Sequence, residues 1–501
     1  MPADLVMGLD ASTTACKSIV WDRQGNAIAE GRAPLPLLAP RPGWHEQPAE
    51  CWWQAAAQSM RQAAGQINPR RLAALCIAPQ RESFVPVDAG GQPLRNGILW
   101  MDERAQPLLP VLGAALGLEA FHRITGKPLS VNLTIAKIAW LRQFEPDVYA
   151  QTAFYLDVHA FLVQRLTGLF RTGWGCADPT GLFDMHTHTW STPCLEAVGL
   201  CPEQVPEAFP PGVRMGAVLP APAADCGLPP GLPVAAGIGD GQSCGLGTAI
   251  LQPGQAYLGL GTSVVSGAFS DRFVTGRAFR TLYGGIPGSY LLETALMGGG
   301  YTLNWFLEKI VPQPGVHIYQ LYDQYEQAAA GIPPGCDGLM LVPYWNSVLG
   351  PYWDASASGI VVGWRGLHQP AHFYRAILEG IAYEQRLCTT GVEAAMGTTI
   401  DRFIVVGGGA RSGLWRQIIA DVTGKPVYRA ATHETAALGA GILAASTAGL
   451  HPDIPQAARA MSRLHPDPAI PDPARHAFYS RLYEDVYRHL YPALQPYLSK
   501  L

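Results

Sequence analysis

An apolar run leading straight into a turn of small hydroxyl residues constrains this chain most, because the pattern occurs twice. The first copy is Leu5-Val6-Met7-Gly8-Leu9, then Asp10-Ala11-Ser12-Thr13-Thr14, then Ser18-Ile19-Val20-Trp21-Asp22 and the turn Arg23-Gln24-Gly25-Asn26. Short apolar runs bounded by turn residues read as strands, so this segment predicts a hairpin with a polar loop at its tip. The second copy is Gln255-Ala256-Tyr257-Leu258-Gly259-Leu260, then Gly261-Thr262-Ser263-Val264-Val265. One short echo is as compatible with chance as with duplication. Duplication would set two similar halves face to face across a cleft.

A length of 501 residues, with 48% apolar residues, suits two domains or three, since single cores stop growing at about 250–300 residues. Lysine and arginine number 35 against 39 acidic residues, a formal charge of −4, so no global basic field invites nucleic acid or an anionic membrane. Phosphate affinity must then come from local geometry. Ten cysteines are scattered without a C-x-x-C pair, and several sit in apolar runs such as Leu75-Cys76-Ile77. They read as reduced, buried thiols, not as a disulfide frame or zinc site. Asp4 precedes any apolar core and no basic start does, which argues against a signal peptide, and no run approaches the ~18 apolar residues of a membrane helix. The expectation is a soluble, cytoplasmic protein.

Residues 48–67 carry Trp52, Ala56, Met60 and Ala63 on one helical face, and helices also fit 134–143, 157–167 and 412–423. Buried strands fit 72–77, 84–88 and 403–406. A Pro- and Gly-rich stretch, 202–233, reads as a separator between the first half and a new block of strands that begins at 234–240. Near the end, Tyr479, Tyr483, Tyr487 and Tyr491 recur every fourth residue, which predicts a packed helix face.

Three loops could hold a polyphosphate. Residues 8–17 offer the hydroxyls of Ser12, Thr13 and Thr14 with the charge of Lys17, and Asp10 could hold Mg²⁺ through water. Gly261-Thr262-Ser263 is a second loop of the same kind. The third is Gly407-Gly408-Gly409-Ala410-Arg411-Ser412, where glycines permit close backbone approach to a nucleotide. It is neither a G-x-G-x-x-G fingerprint nor a G-x-x-x-x-G-K-[ST] loop. Alone, each loop is also an ordinary turn.

In this order and at these separations the loops resemble those of the FGGY carbohydrate kinases, members of the actin/hexokinase ATPase fold. Thr134-x-x-Lys137-Ile138-x-Trp140-Leu141 resembles the family's first signature, with departures at Asn132 and Phe144. Gly359-x-Val361-x-Gly363 with His372-Phe373-x-x-Ala376-Ile377-Leu378-Glu379 resembles the second, with Trp364 in place of the usual aliphatic. Gly181-Leu182-Phe183-Asp184 and Glu434-x-x-Ala437-Leu438-Gly439-Ala440 also recur in the family.

The resemblance implies an α/β fold of two actin-like (ribonuclease H-like) domains facing a central cleft, residues 1–246 holding sugar and phosphate loop, and 247–501 the nucleotide. It implies ATP and Mg²⁺, with Asp240 as catalytic base and possible further metal contact. Asp10, Ser12, Thr13, Lys17 and Thr262 would face the phosphates, and Gly300, Asn304, Gly408 and Ser412 the ADP pocket. Arg81, Glu82, Trp100, Asp240 and Gly241 would line the acceptor site. Family members often form dimers or tetramers.

The acceptor end divides. Arg81-Glu82 and Pro351-Tyr352-Trp353-Asp354 look like glycerol kinases, whereas Gly43-Trp44-x-Glu46-Gln47, Trp52-Trp53 and residues 420–427 look like xylulose kinases. A ketopentose is narrowly the first expectation, with glycerol or a tetritol as the alternative. Two other classes stay open at this point: an actin-like ATPase without sugar phosphorylation, and an idle sugar sensor. The second would have lost Asp240, Thr13 or Thr262, and all three are present.

Overall fold

The computed structural model describes residues 3–345, 347–498 and 500. In its first sheet, β1 (Leu5–Ala11) and β2 (Ala15–Trp21) form the expected hairpin, β3 (Ala27–Pro34) extends it antiparallel, and β4 (Leu72–Pro79) lies parallel to β1. β5 (Arg214–Ala217) and β6 (Pro233–Ala235) complete the order β5-β6-β4-β1-β2-β3. The second sheet contains β7 (Gln255–Leu260), β8 (Val264–Ser270), β9 (Arg280–Tyr283), β10 (Tyr290–Leu296), β11 (Arg402–Val406) and β12 (Val427–Arg429), ordered β9-β10-β8-β7-β11-β12. β7 pairs antiparallel with β8 and parallel with β11, as β1 does with β2 and β4. The two sheets therefore repeat one plan, and the sequence echo falls on its equivalent hairpins. This topology favours duplication over chance.

Two expectations change. Residues 202–233 do not separate the halves: they supply the edge strand β5 and the helix Pro220–Cys226, and β5 pairs with β6 in the first sheet. Pro202, Pro220 and Pro222 sit in the first turns of helices and Pro233 at the first residue of β6, where proline is tolerated, while the others lie in the connecting loops. Nor does 234–240 start a new block. β6 runs parallel to β4, and Asp240 opens the helix Asp240–Gly247.

That helix follows β6 as Thr435–Thr447 follows β12, and the two cross with their backbones in contact. A Cβ on Gly247 would meet Thr435 O at 2.1 Å, and one on Gly439 would meet Ser243 O at 2.1 Å. Thr435–Thr447 is buried without a break from Thr435 to Ala445. Its Ala437 and Leu438 join Val6, Trp21 and Cys76 of the first sheet in one core, so the C-terminal half contributes a helix to the N-terminal one. Gly8 belongs to this packing and not to a phosphate loop, since its Cβ would lie 2.0 Å from Ala437 O.

The helices Ala49–Ala64, Thr134–Phe144, Val158–Thr167 and Gly413–Thr423 occupy the expected segments. The four C-terminal tyrosines are buried against Pro370–Met396 and its neighbours, Tyr479 bonding Glu379, Tyr487 bonding Glu384 and Tyr491 bonding Asp354. Among the described residues no single helix is long and apolar enough to cross a membrane.

Candidate active site

Both hairpin turns border one cavity of about 250 Å³ between the sheets, with Ser12 and Thr13 on one wall and Ser263 on the other. Arg81, Glu82, Trp100 and Asp240 also line it. Each is placed by local structure. Arg81 and Glu82 follow the end of β4, where the chain breaks to begin the strand Phe84–Val87, and Glu82 takes a left-handed φ of 57°. The Arg81 side chain lies across Gly239, whose Cβ would sit 2.4 Å from Arg81 Cδ. Glycine therefore leaves Arg81 room to reach Asp240, with Arg81 Nε 2.9 Å from Asp240 Oδ1.

The Asp240 side chain is 38% accessible and faces the cavity. It stands deep enough that lost hydration raises its carboxyl above the usual aspartate range, against the pull of Arg81 and of the Gly241 N–H. Gly241 donates to Asp240 Oδ1 at 2.7 Å, and its own Cβ would lie 2.7 Å from Glu293 Oε2. Glycine at 241 is thus what lets a second carboxylate close in.

Thr13 joins the β1–β2 turn to the wall that carries Trp100. Its hydroxyl donates to Gln80 Oε1 at 3.1 Å and accepts from Trp100 Nε1 at 3.0 Å. The first family signature buttresses the same wall, since Lys137 Nζ donates to Trp100 O at 3.2 Å and Asn132 Nδ2 does so at 3.1 Å. Burial pushes the Lys137 ammonium down to about 7.

Deeper in, Asp10, one residue before the end of β1, pairs with Lys17 on β2. Lys17 is not a free cation: its Nζ lies 2.6 Å from both oxygens of Glu434, the residue before the helix Thr435–Thr447. A phosphate placed there would have to share Lys17 with Glu434 or replace it. Asp10 Oδ1 is buried with no hydrogen-bond partner among the described residues. Burial, with Asp240 and Glu434 nearby, pushes the Asp10 carboxyl up to about 7, against the pull of Lys17.

The other residues expected at the nucleotide gather on the second half, away from the cavity lining. Thr262 is exposed at the β7–β8 turn, against which the helix Gly300–Trp305 docks: Gly300 N donates to Gly261 O at 2.9 Å and Tyr301 N to Thr262 O at 2.9 Å. A Cβ on Gly300 would lie 2.5 Å from Gly261 O. Asn304 accepts from Tyr322 and Ser412 donates to Glu326, two residues one turn apart on the helix Ile318–Ala330. Ser412 also caps Gly413–Thr423 through Trp415 N. Gly408 has nothing within 4 Å of a built Cβ, so its backbone is open to a ligand.

Residues 5–247 match the N-terminal domain of the FGGY family of carbohydrate kinases, and 256–448 match its C-terminal domain. The xylulose kinase of Escherichia coli is 30% identical over 99% of this chain and 100% of that protein. The chain belongs to the FGGY carbohydrate kinases. A glycerol kinase of Delftia acidovorans is also 30% identical, over 89% of this chain and 91% of its own. The xylulose kinase structure from Rhodospirillum rubrum superposes with a TM-score of 0.90 at 29% identity, covering 99% of each chain.

The sequence reading of this FGGY kinase missed Arg280, Glu293, Lys127 and Asp178, and met Glu434 only as a family motif residue without a partner. Arg280 NH1 lies 2.5 Å from Glu82 Oε1, Arg81 NH1 2.7 Å from Glu293 Oε2, and Lys127 Nζ 3.2 Å from Asp178 Oδ1. The one local signal was Glu293 itself, a charge inside the apolar strand Leu291-Leu292-Glu293-Thr294-Ala295-Leu296. Asp354, by contrast, faces away from the cavity, held by Tyr491 and Gln495, while its neighbour Trp353 lines it.

Proposed function

We propose that this kinase transfers the γ-phosphoryl group of ATP to a primary hydroxyl of a small uncharged ketose or polyol, a ketopentose first. The observation that carries the reading is Asp240, a carboxylate facing the cavity between the two hairpin turns and held by Arg81. A hydroxyl bound against Arg81, Glu82 and Trp100 would place its proton on Asp240. A positioned general base of this kind contributes about 10²–10⁴ in rate. The raised affinity of Asp240 for a proton suits that role, and Arg81 keeps the carboxylate oriented. Phosphoryl transfer has a loose transition state, so positioning and charge neutralisation carry most of its rate. The turns holding Thr13 and Thr262 would bracket the transferred group with hydroxyl and backbone donors.

The residues present fit a divalent cation. Asp10, with its unpartnered buried oxygen, would hold Mg²⁺ through water beside Asp240, which suits an ion that keeps most of its hydration. When bound, that ion would supply charge neutralisation at the phosphates. Gly300, Asn304, Gly408 and Ser412 would form the ADP side.

Glycerol or a tetritol is the second reading, favoured by Arg81-Glu82 and by Trp353 on the cavity wall. Initial rates of ADP formation with D-xylulose, D-ribulose, glycerol and erythritol test the proposal. A kcat/KM for one ketopentose at least about tenfold above the rest supports it; a preference for glycerol or erythritol selects the second reading, and no acceptor-dependent ADP formation removes both.

A further inference from the structure

Five charges from both halves border the cavity as one connected chain. Arg81 reaches Asp240 on one side and Glu293 Oε2 on the other, both pairs under 3 Å. Glu293 Oε1 takes Arg280 Nε and NH2, each at 2.7 Å, and Arg280 NH1 continues to Glu82 Oε1. Arg280 and Glu293 face each other directly across β9 and β10. The Glu293 side chain has no solvent exposure, and its two oxygens are both engaged. The two arginines hold its carboxyl below the usual glutamate range, against the effect of burial.

Apolar residues usually stabilise such a place as well as a buried ion network does. These ions lie where the network borders a cavity, and it links Arg81 and Glu82 of the first half to a hairpin of the second. The hairpin is fixed from the first half too, because Thr281 N donates to Gly126 O at 2.8 Å and Tyr283 N to Asp178 Oδ2 at 2.7 Å.

Resting on the kinase reading above, we propose that Arg280 and Glu293 are specificity-determining residues of the acceptor site. They set Arg81 and Glu82 in the orientation that grips adjacent hydroxyls, so the site is complete only when both halves are together. Glu82 Oε2 has no hydrogen-bond partner among the described residues and is the acceptor atom left for a substrate hydroxyl. The three cations in the cavity lining, Arg81, Lys127 and Arg280, each already have a carboxylate partner. The site therefore selects an uncharged polyol or ketose over a sugar acid, whose carboxylate would find no free cation.

Steady-state kinetics of the full-length enzyme test this. In Arg280→Gln the acceptor KM should rise at least about tenfold while the ATP KM stays within about twofold, and Arg280→Lys should show a smaller rise of the same kind. Glu293→Gln is the parallel variant should Arg280→Gln fail to fold, with the same split expected. A general structural defect would move both KM values together, and that outcome, or an unchanged acceptor KM, overturns the proposal while leaving the kinase reading intact. Wild-type turnover of D-gluconate matching that of the best uncharged acceptor overturns the charge-matching claim. A wild-type enzyme that phosphorylates no polyol or ketose overturns the kinase reading and the proposal with it.

Discussion

The proposed acceptor end and the proposed nucleotide end of this kinase are built from different materials. The acceptor end is a set of side-chain charges already matched to one another: Arg81 with Asp240 and Glu293, Arg280 with Glu82 and Glu293, Lys127 with Asp178. The proposed nucleotide end has no charged member: Gly300 is pressed on the β7–β8 turn, Gly408 is open, and Thr262, Asn304 and Ser412 add neutral side chains. Backbone donors and glycine turns recognise phosphate by shape and suit any polyphosphate. Paired charges in a confined cavity are far more selective, because an ill-fitting ligand leaves a buried ion unmatched. The contrast predicts that substitutions at one end should leave the other end's affinity nearly untouched.

The largest expected effect is at the point where the two ends meet. Asp240→Asn should lower kcat by about two decades or more, with ADP affinity measured by calorimetry within about twofold of wild type. Near-normal turnover would remove Asp240 from the base role. Next is Arg81→Ala, which strips Asp240 of its cation and leaves Glu293 with Arg280 alone. Its acceptor KM should rise by well over about tenfold and by more than the ATP KM. Equal rises in both would break the division between the ends. Gly300→Ala probes the other side, since the new methyl collides with Gly261 O. The ATP KM should rise about five- to tenfold with the acceptor KM little changed, a shift read from the same assays.

The smallest effect sharpens the contrast between matched and unmatched buried acids. Glu384 lies between Tyr344 and Tyr487 with hydroxyl partners only, and burial pushes its carboxyl up to about 7, unlike arginine-bound Glu293. A carboxyl whose folded pKa is raised holds its proton in the folded state after the unfolded chain has lost it. Its contribution to stability is therefore greatest below pH ~4.5 and declines as pH rises toward ~7. Glu384→Gln should flatten the fall of the thermal midpoint across that window by a few degrees, measured by scanning calorimetry. An unchanged slope would place the titration elsewhere.

Local pattern carried much of this in advance. The strand-and-turn echo located both hairpins, and the apolar run before Asp240 was read as a strand, although it was assigned to a new block and lies in the first sheet beside β4. Arg81, Glu82 and Trp100 were found through family resemblance and share one cavity. The charges that complete the site were not legible, because Arg81 and Glu293 stand 212 residues apart and Lys17 and Glu434 stand 417 apart. No window of sequence shows such pairs; only the folding of one half against the other does. Lys17 was expected to face the phosphates, and its partner Glu434 stands at the N-cap of a helix that crosses between the halves. Residues 202–233 misled for another reason. Proline and glycine density signals turns, yet Pro202, Pro220 and Pro233 begin two helical segments and an inner strand, so the stretch is part of the first sheet's layer and not a link.

The central claim is that the cavity delivers phosphate to a bound hydroxyl and not to water. ADP formation by the wild-type enzyme at saturating ATP, with and without its best acceptor, tests it most directly. The predicted result is a rate at least about a hundredfold higher with acceptor, with the product recovered as a sugar or polyol phosphate. An equal rate in the absence of acceptor, with inorganic phosphate as the product, would contradict it.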